Sequence, residues 1–377
     1  MESSPFNNLP QDTLHQIFCH LPLRQIAAAK CVCKALRAAL SSASFHHLLR
    51  SQSRPLPLLA LKASLRHVST LLTLHAFDPA ANQWLKFSLS FLPFAGLHPI
   101  TSSNGLLYLW ASAAHSSRTP QNPQKALVVC NPLTGHFKTL PQLGSAWSRH
   151  GAVLAGSLSV VLVLTELAVL YYSENGNPND DDFIPNWLKF SSNLPSKPRS
   201  PVLVSDFILT LCDVGSPWRS QWAMFKGRIV DTDKAMQWVR LERREWGDIF
   251  DILKRPRLVK AGSDRKVYMV GGLKSSYALQ SACTTILILR LDLDTLEWEE
   301  AGRMPLEMYR CFAESSKFKV FGGGNRVCFT AKRAGRLALW EEFGDGKNTW
   351  RWVDGVPGSG DVLCRGFVFE ARLDAVL

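Results

Sequence analysis

Residues 16–34 read QIFCHLPLRQIAAAKCVCK and place Cys19, Cys31, Cys33 and His20 within nineteen positions, with His15 just ahead. Thiols and imidazoles at close spacing are the raw material of a zinc site or a redox pair. Geometry argues against both. In a helix, positions 31 and 33 are turned about 200° apart, so one ion is not held by both thiols while the segment stays helical. Cys33 then falls on the apolar stripe and Cys31 faces away. His15 and Cys19 share a face as an i, i+4 pair, but a structural zinc needs four ligands, and no second pair follows at finger spacing. These cysteines are expected to act as small apolar side chains, with no metal bound.

Chemistry elsewhere is equally sparse. All ten histidines fall at or before His150, leaving the final 227 residues with none. The run Asp180, Asp181 and Asp182 lacks the alternating ligands and terminal Glu of a calcium loop. There is no GxSxG elbow or P-loop, and GGGN at 322–325 continues into a strand rather than opening a helix. No catalytic residue, cofactor or metal is therefore expected. The net charge of +12 raises the question of nucleic acid. Its densest basic groups, RLERRE at 240–245 and KRPR at 254–257, are short and read as solvated faces, so nucleic acid is not expected.

The amino end has no basic stretch leading into an apolar run, and no secretory signal is expected. The longest apolar stretch, Leu158 to Tyr172, contains Glu166 and falls short of the roughly 18 residues of a membrane span. Nine cysteines, an odd number without repeated spacing, fit reduced thiols of the nucleus or cytoplasm.

Two classes of element follow from periodicity. Leu14, Ile17, Phe18 and Leu21 obey i, i+3, i+4, i+7 with Asp12 placed to cap the turn before them. Pro22 ends that helix. Ile26, Ala29, Val32, Cys33, Leu36 and Leu40 form a second stripe until the serines at 41, 42 and 44 break it. Three short helices or turns are expected, too few to close a core of their own. With Leu9-Pro10 at the start, Leu21-Pro22 at the turn, Val32-Cys33-Lys34 beyond it and Phe45 at the end, these residues resemble an F-box. Leu36 stands where that family usually carries tryptophan, which keeps an apolar anchor but offers less area. The resemblance implies docking on the Skp adaptor of a cullin-RING ubiquitin ligase. Leu9, Pro10, Leu14, Ile17, Phe18 and Leu21 would make that contact, together with Pro22, Ile26, Val32, Cys33 and Leu36. A short apolar helical unit that leaves its face uncovered needs a partner's groove.

From residue 57 the helical period gives way to short apolar runs between turn residues, as in an all-β array. Residues 266–310 hold a strand ending in Gly271-Gly272, a tyrosine shortly after, a second strand, an Asp-rich turn, Trp298 and Met304-Pro305. Copies align on a turn followed by an aromatic residue at Trp84, Phe137, Trp187, Trp238, Trp298 and Trp352, which stand 53, 50, 51, 60 and 54 residues apart. This resembles the kelch repeat, whose period is about 50 residues. The glycines let strands approach closely, and the aromatic residue fills the wedge between blades. A six-bladed all-β propeller is expected, with five or seven blades as alternatives, closed by a last strand from Val362 to Leu373. The domains are then 1–50, a helical F-box; 51–60, a junction; and 61–377, the propeller.

Arg149, Arg199 and Arg310 lie twelve residues beyond an aromatic mark and Arg365 lies thirteen beyond. Equivalent positions in a propeller project from one face, so these guanidinium groups, flanked by Trp147, His150 and Tyr309, would ring one mouth and favour an acidic or phosphorylated peptide. The bland alternative is that the arginines support loops between blades. An F-box followed by such repeats looks like the plant F-box/kelch proteins. That resemblance implies a non-catalytic substrate receptor, with the helices on the adaptor and the ring on a target protein. Two other readings stand beside it. One is a protein-binding scaffold whose adaptor contact is weakened at Leu36; the other is a kelch-type oxidase, which the histidine distribution opposes.

Overall fold

The computed structural model describes residues 9–52, 55–62, 73–112, 125–156, 160–172, 186–228, 236–247, 249–274, 283–313, 318–332, 334–344, 346–358 and 363–377. Asp180–Asp182 and Tyr277 lie outside these residues.

Four helices open the chain rather than three: α1 Gln11–Cys19, α2 Leu23–Ala29, α3 Lys34–Ala39 and α4 Ala43–Gln52. Pro10 and Pro22 stand immediately before α1 and α2. Asp12 sits in the first turn of α1, not at its cap, where a carboxylate still complements the helix dipole. The expected stripe from Ile26 to Leu40 is interrupted at Cys33, which is extended (φ −154°, ψ 165°) and whose sulfur accepts the Leu36 N–H at 3.4 Å. Cys31 and Cys33 therefore do not share a helix, and both are exposed rather than one of them buried on a stripe. The serines end α3 as expected, but Ser42 also begins α4, because its Oγ accepts the Phe45 N–H at 3.2 Å.

These helices close a small core only with help from outside their own segment, because the far end of the chain completes it. Phe18, Cys19, Ile26, Leu40, Phe45 and Leu49 bury themselves around Leu373. His15, 3% exposed, ties α1 to the end of α3 with its Nε2 3.1 Å from the Ala39 carbonyl.

The rest of the described chain is six four-stranded antiparallel sheets arranged as the blades of a propeller. Strands are numbered β1 to β24 in chain order. The innermost strands are β4 Gly96–Ser103, β8 Ala152–Ala155, β12 Arg199–Val204, β16 Leu253–Lys260, β20 Phe318–Gly323 and β24 Arg365–Ala371. Each packs beside the next around the axis, and β24 completes the circle between β20 and β4. In the first blade, β24 pairs with β1 Leu56–Lys62, followed by β2 Thr73–Asp78 and β3 Gln83–Ser88. The ring thus opens at Leu56, inside the stretch expected to be a junction. Its closing strand pairs seven residues of the last segment with seven of the first, from Leu56↔Ala371 to Lys62↔Arg365. No sheet edge is left facing the seam. Gly366 makes this pairing possible, since a side chain there would collide with the Ala60 carbonyl and the Phe321 ring.

The aromatic marks all fall at the outer strands. Trp84 is in β3, Phe137 in β7 Phe137–Thr139, Trp187 just before β11 Leu188–Ser191, Trp238 in β15 Gln237–Leu241, Trp298 in β19 Trp298–Arg303 and Trp352 in β23 Asn348–Val353. Several bind the connector arriving from the previous blade. Trp84 Nε1 donates to the Asp354 carbonyl at 3.0 Å, and Trp187 Nε1 to that of Pro141 at 2.9 Å. The Trp298 ring lies 5.8 Å from that of Trp246. These contacts make the tryptophans wedges between blades. Gly271 and Gly272 in β17 Lys266–Lys274 allow the close approach expected of them, to Leu253 on one side and Cys283 on the other.

Closure by β24 gives the first test. Phe369 in that strand is fully buried and meets Phe87 edge-on at 5.5 Å. Phe369→Ala should cost about 3–5 kcal/mol, read as a lower urea midpoint. Phe343→Ala, at a ring that is 48% exposed, should change stability by less than about 0.5 kcal/mol.

Candidate functional site

Antiparallel order divides the ring into two faces. The inner strands begin at one, called the upper face, and end at the other, the lower face. The helices sit on the lower face. Arg24 in α2 pairs at 2.5 Å with Asp78, a carboxylate only 2% exposed at the end of β2. Asp78 also accepts the backbone N–H groups of Ala80 and Ala81 at 2.9 and 3.1 Å. Leu133, in the turn before β7, packs against the helical core. The tail beyond β24 runs between helices and ring: Asn131 Nδ2 donates to the carbonyls of Arg372 and Ala375, each at 3.1 Å, while Leu373 enters the helical core.

The eleven adaptor-facing residues expected from sequence divide by exposure. Leu9, Ile17 and Val32 are 37%, 45% and 74% exposed, and Pro10, Pro22 and Cys33 are exposed with them. Leu14, Leu21 and Leu36 are half-buried against the helical core. Phe18 and Ile26 are buried within it. Their place is fixed by helix phase: Phe18 shares the inward side of α1 with His15 and Cys19, whereas Ile17 is turned out. The free apolar surface of this unit is thus carried by α1, its leading Leu-Pro and the turn before α3.

The upper face carries the arginines. Arg199 opens β12, Arg365 opens β24, and Lys62 at the end of β1 stands opposite Arg365. Arg149 and His150 close α5 Ser145–His150, ahead of β8, and are exposed. Arg310 is exposed on α6 Leu306–Ala313, ahead of β20. Trp147 packs into the core between the second and third blades. Tyr309 donates its hydroxyl to the Cys283 carbonyl at 2.6 Å. These two rings have structural work, and Arg149 and Arg310 are carried on connector helices rather than on inner strands.

The structure gathers a different set. Arg257 in β16 is half-buried, and its charge feels Arg199, Arg365 and Arg255 together. Burial, followed by these three cations, pushes its guanidinium down to about 10. Burial and then Arg255 also push Arg199 down, opposed by Asp213. Lys62 is pushed down to about 8 by burial and then by Arg365, and its amine lies 5.6 Å from the centre of the Phe367 ring. Arg199 stacks on Trp222 at 4.8 Å, and its buried Nε has no hydrogen-bond partner among the described residues. Guanidinium groups at the upper ends of three inner strands therefore influence one another.

A shared backbone feature positions them. The pairing of β12 with its neighbour shifts between Arg199 and Val202, and that of β16 shifts between Lys254 and Arg257. At each bulge a non-glycine residue takes positive φ, Ser200 at 47° and Arg255 at 55°, followed by Pro201 and Pro256. Bulges re-aim side chains where a site needs them, and positive φ outside glycine is a strained backbone state. The sequence signal is a basic residue, one variable residue and proline, RSP at 199–201 and KRP at 254–256. KRPR is thus not a simple solvated face.

Among the described residues no group of three or more His, Cys, Asp or Glu side chains is placed to hold a metal, and no helix is long and apolar enough to cross a membrane. The buried thiols are poor nucleophiles, since burial pushes Cys130 up to about 12 and Cys212 up to about 11.

Comparison with known proteins agrees with the helical unit and with the whole chain. Residues 6–48 match the F-box domain family. SKP1-interacting partner 15 of Arabidopsis thaliana is 55% identical over 385 residues, covering 99% of each chain. Protein UNUSUAL FLORAL ORGANS of the same plant is 23% identical over 394 residues, covering 96% of this chain and 81% of that protein. Among solved structures, TolB from Acinetobacter baumannii is similar with a TM-score of 0.45 at 10% identity, covering 86% of this chain and 72% of that one. With an F-box on one face of a six-bladed ring and a relative alike from end to end, the chain belongs to the plant F-box proteins, in the family of SKP1-interacting partner 15.

Proposed function

We propose that this chain is the substrate-recognition subunit of a cullin-RING ubiquitin ligase of the SCF type. Its helices bind a Skp-type adaptor and its ring holds a target protein for ubiquitination. The observation that carries this reading is the apolar surface left uncovered on the helical unit: Leu9, Ile17 and Val32 remain exposed although Phe18, Ile26 and Phe45 are packed away. Folding has buried what it can of this unit, and the remaining side chains gain only by entering a partner's groove. The name of the 55% identical relative supports a SKP1-type partner.

The chain itself acts without catalysis. Holding a target beside the charged ubiquitin-conjugating enzyme turns a rare encounter into a local one, and this proximity is its whole contribution to rate. The ring suits the task because its inner strands are braced on both sides, so the upper face stays fixed relative to the helices. Gly271-Gly272 and the outer-strand tryptophans support reading that ring as kelch-type. Nine cysteines, none of them in a disulfide, support a reducing compartment, nucleus or cytoplasm.

Calorimetric titration of the full chain with a purified plant SKP1-type adaptor tests the reading. Ile17→Asp and Val32→Asp should each weaken binding at least about tenfold, or about 1.4 kcal/mol, while thermal unfolding stays nearly unchanged because both sites are exposed. Leu167→Asp, at an upper-face turn residue that is 80% exposed, should bind as wild type. An unmodified chain that fails to bind the adaptor, or variants that bind it equally well, would contradict the assignment.

A further inference from the structure

The mouth of the upper face poses an electrostatic problem that the described residues do not solve among themselves. Four guanidinium groups, Arg199, Arg255, Arg257 and Arg365, come from three inner strands, and among the described residues the main influences on Arg257 besides burial are the other three cations. Asp213 opposes the shift of Arg199, and it is itself engaged by the N–H groups of Gly215 and Gln221 at 3.1 and 2.9 Å. Like charges brought together in a half-buried opening cost stability. Here two strained bulges help to hold them there. A folded protein keeps such an arrangement where an anion completes it.

The form of the opening narrows the anion. The cations come from inner strands around the axis and Arg257 feels the other three, so the charge is gathered near the axis, whereas an extended duplex would meet a spread of charge along the outer surface. Arginine forks match the oxygen geometry of phosphate, and charge-assisted bonds there are roughly twice as strong as neutral ones. A second feature lies on the same face. Trp218, in the turn that leads into β14 Trp222–Arg228, is 96% exposed, in the blade whose Trp222 stacks on Arg199. An indole standing in water on the same face as a cation cluster is the sort of side chain that anchors a peptide chain, and a free inorganic anion has no use for it.

We propose that the upper face binds a phosphorylated peptide segment, its phosphoryl group seated among Arg199, Arg255, Arg257 and Arg365 and its chain crossing the rim at Trp218. This rests on the receptor reading above, with the segment belonging to the target. It explains why the helices and the cation cluster occupy opposite faces: adaptor and target then load without competing.

The test uses the full chain and a fluorescein-labelled pool of random peptides with one fixed central phosphoserine, followed by polarisation at about 0.15 M salt, where exposed charges are well screened. The phosphoserine pool should bind at least about tenfold more tightly than the same pool with serine. Inorganic pyrophosphate should displace it. Arg365→Ala, at an exposed position, should lower affinity about fivefold or more, and Arg257→Gln similarly. Trp218→Ala should weaken the peptide pool but leave displacement by pyrophosphate on the remaining complex unaltered, which separates a peptide ligand from a free phosphate. Equal binding of the two pools, unchanged binding by Arg365→Ala, Trp218→Ala without effect, or tighter binding of a 20-nucleotide DNA duplex than of the phosphoserine pool would each overturn the proposal. Adaptor titration of the same variants keeps the two readings distinct: lost phosphoserine preference with intact adaptor binding strikes this inference alone, and absent adaptor binding strikes the receptor assignment.

Discussion

The return of the last strand to the first is the constraint on which the rest of this molecule depends. A ring of sheets has no free energy advantage at its seam until an edge finds a partner, and β24 supplies that partner to β1 along seven residue pairs. The same segment then leaves the ring and inserts Leu373 among Phe18, Ile26, Phe45 and Leu49. One stretch of about thirteen residues, from Arg365 to Leu377, thus closes the propeller and completes the helical core. Stability of the amino-terminal unit is for this reason coupled to residues more than three hundred positions away.

Coupling of this kind has a functional consequence. Were the helices attached only through the covalent chain leading into β1, their orientation toward the ring would be weakly set. Instead, Arg24 pairs with the nearly buried Asp78, Asn131 holds the carbonyls of the tail, and Leu133 packs against the helices from the ring side. Removing either partner of a paired buried carboxylate leaves a charge uncompensated, at a cost of about 3–5 kcal/mol in fully buried cases and less here because Arg24 reaches solvent. Several such attachments fix the angle between the two surfaces. A receptor that works by proximity needs that fixity, because freedom at the joint dilutes the local concentration it creates.

Much of this was legible in the chain. The outer-strand aromatics marked every blade, because a wedge between sheets calls for a large flat side chain at one place per repeat. The helices were visible in their apolar period, but their interruption at Cys33 was not. A cysteine capping α3 through its sulfur replaces the usual Ser or Asp, so the stop signal was missing from the sequence. Leu373 was likewise invisible as a core residue of the helices, since nothing in local pattern links it to Phe45. The cationic mouth was half seen. Arg199 and Arg365 follow the interval from the aromatic marks, but in the fifth blade the connector containing the 3-10 turn Arg244–Trp246 is longer. Lys254 therefore stands sixteen residues past Trp238, where Arg199 stands twelve past Trp187. That offset hid the equivalence of RSP and KRP, which only strand pairing reveals.

The central claim is that adaptor and cation cluster occupy opposite ends of one rigid body. Hydrogen exchange of the full chain, measured with and without a saturating SKP1-type adaptor, tests it most directly. The account predicts slowed exchange across residues 9–36, with residues 199–204, 253–260 and 365–371 exchanging as in the free protein. Protection spreading to the upper ends of β12, β16 and β24, or no protection on α1 and the turn before α3, would contradict it.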